Sequence, residues 1–238
     1  MAPRLFTFAA IIAVVHPSPG LAYRPFDSTD ASVVGAHEFE LEFGVGYTRE
    51  GAKESFTLPA VVANYGIDGD REIVLEGRIF RTLDAEDDAE LDDAALSLKQ
   101  VHRTGSLQER SGISVASECG ILLPTTHTED GMGAACALIA SQRWQAATLH
   151  ASAGVAVNRD HRWEESLGTI LEGPDGWLVR PVSEVTFEWD EKQSAGRSAL
   201  VGLIWRAREM LSFDAAVRYA RIGQSHDWEV RAGFTWAR

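Results

Sequence analysis

The chain has 238 residues, of which 45% are hydrophobic and 24% charged, with a formal net charge of −13. That balance is too apolar for a disordered chain, and its negative sign excludes nucleic acid as a partner, because phosphate backbones attract basic surfaces. Beyond the N-terminus no run approaches the roughly 18–20 apolar residues that a membrane helix needs, which excludes a helical membrane protein.

Arg4 is followed by an apolar stretch from Leu5 to Val15, then by the helix breakers Pro17, Pro19 and Gly20, then by the small-residue exit Leu21-Ala22. This order is that of a secretory leader, and the apolar stretch is too short to span a bilayer as a helix. Residues 1–22 are therefore expected to be removed on export. One domain follows over 23–238, with 23–36 as an N-terminal lead-in.

From there the chain alternates. Phe39, Leu41, Phe43, Val45 and Tyr47 share one parity and Glu38, Glu40, Glu42, Gly44 and Gly46 the other, which a strand sorts onto two faces and a helix would scatter. Further candidate strands run over Ser55–Ile67, Glu72–Arg81, Leu91–His102, Arg110–Leu123, Met132–Arg143, Gln145–Asn158, Trp163–Glu172, Trp177–Trp189, Gly196–Arg206, Leu211–Ile222 and Asp227–Trp236. Twelve strands leave about 18 residues for each strand and its connection, the spacing of short turns on one side and longer loops on the other. Pro59 removes a ladder donor from the second strand and should bend it, and Trp163–Glu172 alternates poorly.

Turns at Gly69-Asp70, Gln142–Trp144 and Gly173–Gly176 are short and carry turn residues, whereas Arg103–Glu109 is longer than the same rule expects. On the opposite side Leu83–Asp93, Thr125–Gly131, Arg159–Arg162 and Asp190–Ala195 are longer and more polar. The acidic loop Leu83–Asp93 reads first as a solvated loop and second as a divalent-cation contact with lipopolysaccharide, since clustered carboxylates favour hard cations.

A hairpin centred between His127 and Thr128 sets Cys119 opposite Cys136, both on the apolar parity. Export permits a disulfide, while directly opposed strand positions often have poor geometry for one. Both states remain open. No spacing suggests a metal site, and no cofactor is expected.

The last strand decides the environment. Trp228, Val230, Ala232, Phe234 and Trp236 face one way and Glu229, Arg231, Gly233 and Thr235 the other, with aromatics near both ends. That pattern suits a wall between lipid and an aqueous lumen, so the fold expected is an all-β antiparallel transmembrane barrel in the bacterial outer membrane. Parity turns Glu40, Glu42, Glu76, Arg78, Glu118, Arg180, Glu184, Glu188, Asp214, Arg218, Glu229 and Arg231 to the lumen, together with Glu38 and Lys99. These charges serve either as a stiffening ion-pair network or as a constriction that sorts solutes. Closure of the last strand on the first is expected to bring Arg231 to Glu40 and Glu42.

The succession Gly120-Ile121-Leu122-Leu123-Pro124-Thr125, Gly131-Met132-Gly133, the Leu149–Asn158 strand and Val230–Trp236 resembles the bacterial outer-membrane family described as "MetA-pathway of phenol degradation". The resemblance implies a passive transporter for small solutes, aromatic or hydrophobic ones among them, with outer-membrane lipid, lipopolysaccharide and the barrel assembly machinery as partners. It supplies no catalytic residues. Such barrels usually end on an aromatic, and Arg238 holds that place here. Two other readings stay open. His150-x-Ser152, with Glu164 and Glu165 in the following loop, loosely resembles the lipid A deacylases, and would need a base in hydrogen-bond reach of the serine. A soluble periplasmic β-sandwich binding protein would bury its aromatics in a core.

Overall fold

A computed structural model of the chain describes residues 24–83, 89–126, 131–191 and 195–238. The leader read in 1–22, part of the acidic loop and the tip of the Cys119–Cys136 hairpin lie outside the described residues. Twelve strands form: β1 Phe39–Glu50, β2 Lys53–Asp68, β3 Arg71–Thr82, β4 Glu90–Arg103, β5 Ser114–Leu122, β6 Gly133–Arg143, β7 Thr148–Val157, β8 Trp163–Glu172, β9 Val179–Asp190, β10 Gly196–Arg208, β11 Leu211–Ile222 and β12 Ser225–Ala237. Each pairs antiparallel with its neighbours in sequence, and β12 pairs with β1, so the sheet closes into a barrel. Closure leaves no unpaired edge, which is what hydrocarbon requires of a spanning sheet.

The seam is regular. Leu41 lies opposite Trp236, Phe43 opposite Phe234 and Gly46 opposite Arg231, and Phe39 and Arg238 exchange two backbone hydrogen bonds of 2.8 Å at its end. Pro59 sits at a register shift between Thr57 and Ala60 on the β3 side, where a residue without an N–H costs the ladder least. β8 forms over the span its weak alternation suggested.

Period-two alternation sets the two faces of the wall. Outward positions carry Leu138, Val201 and Leu203, exposed by 59%, 64% and 51%. A soluble monomer does not leave so continuous an apolar surface in water. Aromatics gather at two levels: Tyr219 and its register partner Trp228 touch at 4.7 Å near the loop end, and Trp205 with Phe213 at 5.6 Å near the end that holds the C-terminus. This is an outer-membrane barrel, with the terminus-bearing end periplasmic and the opposite end carrying the outer loops. The β-sandwich reading fails because the aromatics face outward and a single sheet closes on itself.

Several expected boundaries move, among them the start of β7, at Thr148 and not Gln145. Arg110–Ile113 does not join β5: Gly112 takes φ +87° and the chain turns there. The long Arg103–Glu109 connection folds back as a single 3-10 turn, Ser106–Gln108, whose Leu107 is buried with Val101, Ala116 and Ile139 inside the periplasmic mouth. Trp177 and Leu178 precede β9 and lie exposed. Cys119 and Cys136 are register partners, joined by a disulfide on the lipid face of the wall.

Candidate functional site, a lumen floored by the N-terminal segment

Residues 24–38 do not simply lead into β1. They enter the lumen and cross its periplasmic half. Such a segment has no sheet to satisfy its backbone, so the wall supplies side chains instead. The Glu184 carboxylate accepts from the N–H groups of Asp27 at 2.8 Å and Ser28 at 2.7 Å. Ser141 Oγ accepts from Ala31 at 3.0 Å, and Glu72 Oε2 from Val34 at 2.6 Å. Gln108 Nε2 donates to the Ala31 carbonyl at 2.9 Å, and Arg231 to that of Pro25 at 3.0 Å. Hydrogen bonds to charged groups are worth roughly 1.5–3 kcal/mol each.

Ion pairs fix the same segment. Arg24 meets Asp214 at 3.3 Å on β11. Asp27 meets Arg218 at 2.7 Å and Arg231 at 2.6 Å. Lys99 on β4 reaches Asp30 at 3.4 Å and Glu72 at 3.5 Å, all three buried. Burial would push the Asp27 carboxyl up, but the Arg231 and Arg218 guanidiniums outweigh it and hold the group below its ordinary value of 3.8.

Glycines in the wall make room. Gly44 and Gly233 are register partners on the seam, and a Cβ on either would run into the Arg24 guanidinium. A Cβ on Gly168 would meet Ser28 Oγ, and one on Gly66 the Val34 and Gly35 carbonyls. The floor is thus seated in slots cut into an otherwise bulky wall.

Beside the segment the lumen is packed. His150 donates or accepts at Ser141 Oγ (2.9 Å, Nδ1) and at Glu172 Oε1 (2.9 Å, Nε2), and Glu172 is ion-paired to Arg180 at 2.7 Å. Ile139 and Ile170 are fully buried next to them. The hydrolase reading does not survive this geometry. The serine bonded to His150 is Ser141, not Ser152, and Glu164 is bonded to Asn158 instead, at 2.6 Å. Ser141 is itself buried and already accepts from Ala31, so no substrate carbonyl can approach its oxygen.

Above the floor a cavity of about 940 Å³ extends toward the loop end. Glu40, Glu42, Glu76, Arg78, Glu118, Glu188, Arg218, Glu229 and Arg231 line it, whereas Arg180, Glu184 and Asp214 sit beside or beneath the segment. The expected meeting of Arg231 with Glu40 and Glu42 does not occur. Closure sets Arg231 opposite Gly46, while Glu40 and Glu42 lie opposite Ala237 and Thr235, deeper in the barrel. Arg231 pairs with Asp27 and, at 2.8 Å, with Glu229. Asp92 and Asp93, from the acidic loop's end, turn to Arg78 at 2.7 and 2.9 Å. The residue types that the lead-in contributes, Arg24, Asp27 and Asp30, carried no periodic signal, which is why sequence reasoning passed over them.

A closed twelve-strand wall around a charged lumen is the architecture of outer-membrane channel barrels. Solved structures share it. An outer membrane channel from Pseudomonas putida F1 superposes with a TM-score of 0.64 at 8% identity, over 90% of this chain and all of that one (100%). The NanC porin gives 0.62 at 7% identity over 82% of this chain and 98% of its own, and the KdgM porin crystallised with disordered oligogalacturonate gives 0.53 at 8% over the same shares. No protein-family profile matches the sequence, and no curated protein matches it.

Proposed function

We propose that this protein is a passive outer-membrane channel for small organic solutes, held closed from the periplasmic side by its own N-terminal segment. The observation that carries the reading is the pairing of a charged cup, extending toward the outer loops, with a floor that is bound by side chains and not by sheet. A floor of that kind can leave without breaking the barrel. The porin and channel folds above support passage of small solutes, and the resemblance of the Leu122–Thr125 and Val230–Trp236 stretches to the phenol-degradation family favours aromatic compounds among them.

Single-channel recording of the refolded protein tests this. The full chain should show a low resting conductance with rare openings, and Arg24→Ala combined with Asp27→Asn should open it more often. Absence of conductance and of liposome uptake in both proteins would sink the channel reading.

A further inference from the structure

The cup above the floor has an unequal charge account. Four arginines line it toward the loop end, and each is already engaged by more than one carboxylate: Arg78 by Asp92 and Asp93, Arg162 by Asp160 and Asp190, Arg218 by Asp27 and Asp227, Arg231 by Asp27 and Glu229. Three cavity carboxylates have no such partner. Among the described residues Glu76, Glu118 and Glu188 make neither a hydrogen bond nor an ion pair. The carboxylates left without a bonded cation are therefore the groups most open to a solute, although Lys99 lies across from Glu118 in the register.

A second observation points the same way. Glu40 lines the deep part of the same cavity and is 4% exposed, yet its Oε2 has no donor, and its other oxygen has only Asn64 Nδ2 at a long 3.4 Å. A buried carboxylate oxygen without a donor costs free energy until a donor arrives. Phe26 and Phe80 add aromatic rings to the lining, and the face of an aromatic ring attracts a cation.

From these we infer that the cup binds small organic cations, amines with an apolar body, and excludes organic anions. The inference rests on the channel reading of the same lumen and names the solute class. A low-dielectric wall focuses the field of Glu76, Glu118 and Glu188 into the cup, which raises the local concentration of cations and repels carboxylates and acidic sugars. An ammonium group carries several N–H donors for these oxygens and for Glu40.

The test is calorimetric titration of the refolded protein in detergent with 1,4-diaminobutane and succinate, two probes of equal carbon length and opposite charge. Diaminobutane should bind, more weakly as salt is raised, and succinate should not. The variant Glu76→Gln/Glu118→Gln/Glu188→Gln should lose about tenfold in diaminobutane affinity or more. Arg78→Gln, which releases Asp92 and Asp93, should tighten it, a gain that misfolding cannot produce. Equal binding of succinate, no binding of diaminobutane, undiminished affinity in the triple variant or weakened affinity in Arg78→Gln would each overturn the inference. Conductance is read separately: diaminobutane bound by a protein that never conducts sinks the channel reading alone, and a conducting pore that binds succinate sinks this inference alone.

Discussion

The periplasmic floor and the outer cup share one barrel and one alternation of side chains, yet they treat charge in opposite ways. In the floor, Lys99, Arg24, Asp27 and Glu184 are matched to partners on other elements, and the surrounding Ile139, Ile170 and Ala31 are sealed from water. In the cup, Glu76, Glu118 and Glu188 face open space unpaired. The difference teaches that lumen charge has two uses in this fold. Paired and buried, it determines one arrangement of the chain; unpaired and wet, it acts on whatever diffuses in.

Substitutions can break that contrast, and the largest effect belongs to the floor. Arg180→Met should lower the unfolding free energy by roughly 3–5 kcal/mol, because it leaves Glu172 buried against His150 without its cation. Urea titration of the refolded protein, followed by tryptophan fluorescence, measures it; a loss under 1 kcal/mol would mean the floor is wetter than its packing shows. Next comes the seat of Arg24. Gly44→Val should expel the guanidinium from its slot at a cost of about 1–3 kcal/mol, with a higher open probability in single-channel records. Unchanged records would show that the Arg24 slot does not hold the floor.

A pH dependence sharpens the comparison further. The folded-state value of Asp27 lies below its unfolded 3.8, so its contribution is fully present above pH 4 or so and is lost as pH falls through the lower folded value. Channel opening on acidification should therefore begin below about pH 4, and Asp27→Asn should abolish that onset while leaving the floor loosened at neutral pH. The smallest effect is expected in the cup: Glu118→Gln should change the unfolding free energy measured by urea titration by less than about 0.5 kcal/mol while changing cation affinity. A large stability loss there would erase the distinction between the two regions.

Much of this was legible in the sequence, and the residues show why. Alternation marks a strand whenever one face meets lipid, so β1, with Phe39 to Tyr47 against its glutamates, and β12 could be read directly, as could the Cys119–Cys136 hairpin register. β8 was the weakest because apolar Ile170 is buried on the lumen side while polar Glu165 and Thr169 fall on the outward parity. The position of Arg231 was misread because parity gives the side of a sheet, not how far one strand slides along another at the seam. The floor was illegible because its partners, from Glu72 to Arg231, lie on strands scattered along the chain. The local sign was glycine on the polar face of both seam strands, Gly44 and Gly46 on β1 and Gly233 on β12, of which Gly44 and Gly233 seat Arg24.

The N-terminal segment is tethered to the first strand at Phe39, but its anchors at Arg24 and Asp27 reach Asp214, Arg218 and Arg231 on the last two strands. The seats of Arg24 and Asp27 therefore do not exist until the final hairpin has arrived. A stoppered barrel thus has its two terminal strands tied together twice, once by the ladder and once by the segment bridging from one to the other. That second tie works as a clasp, fastening only when the ring is complete.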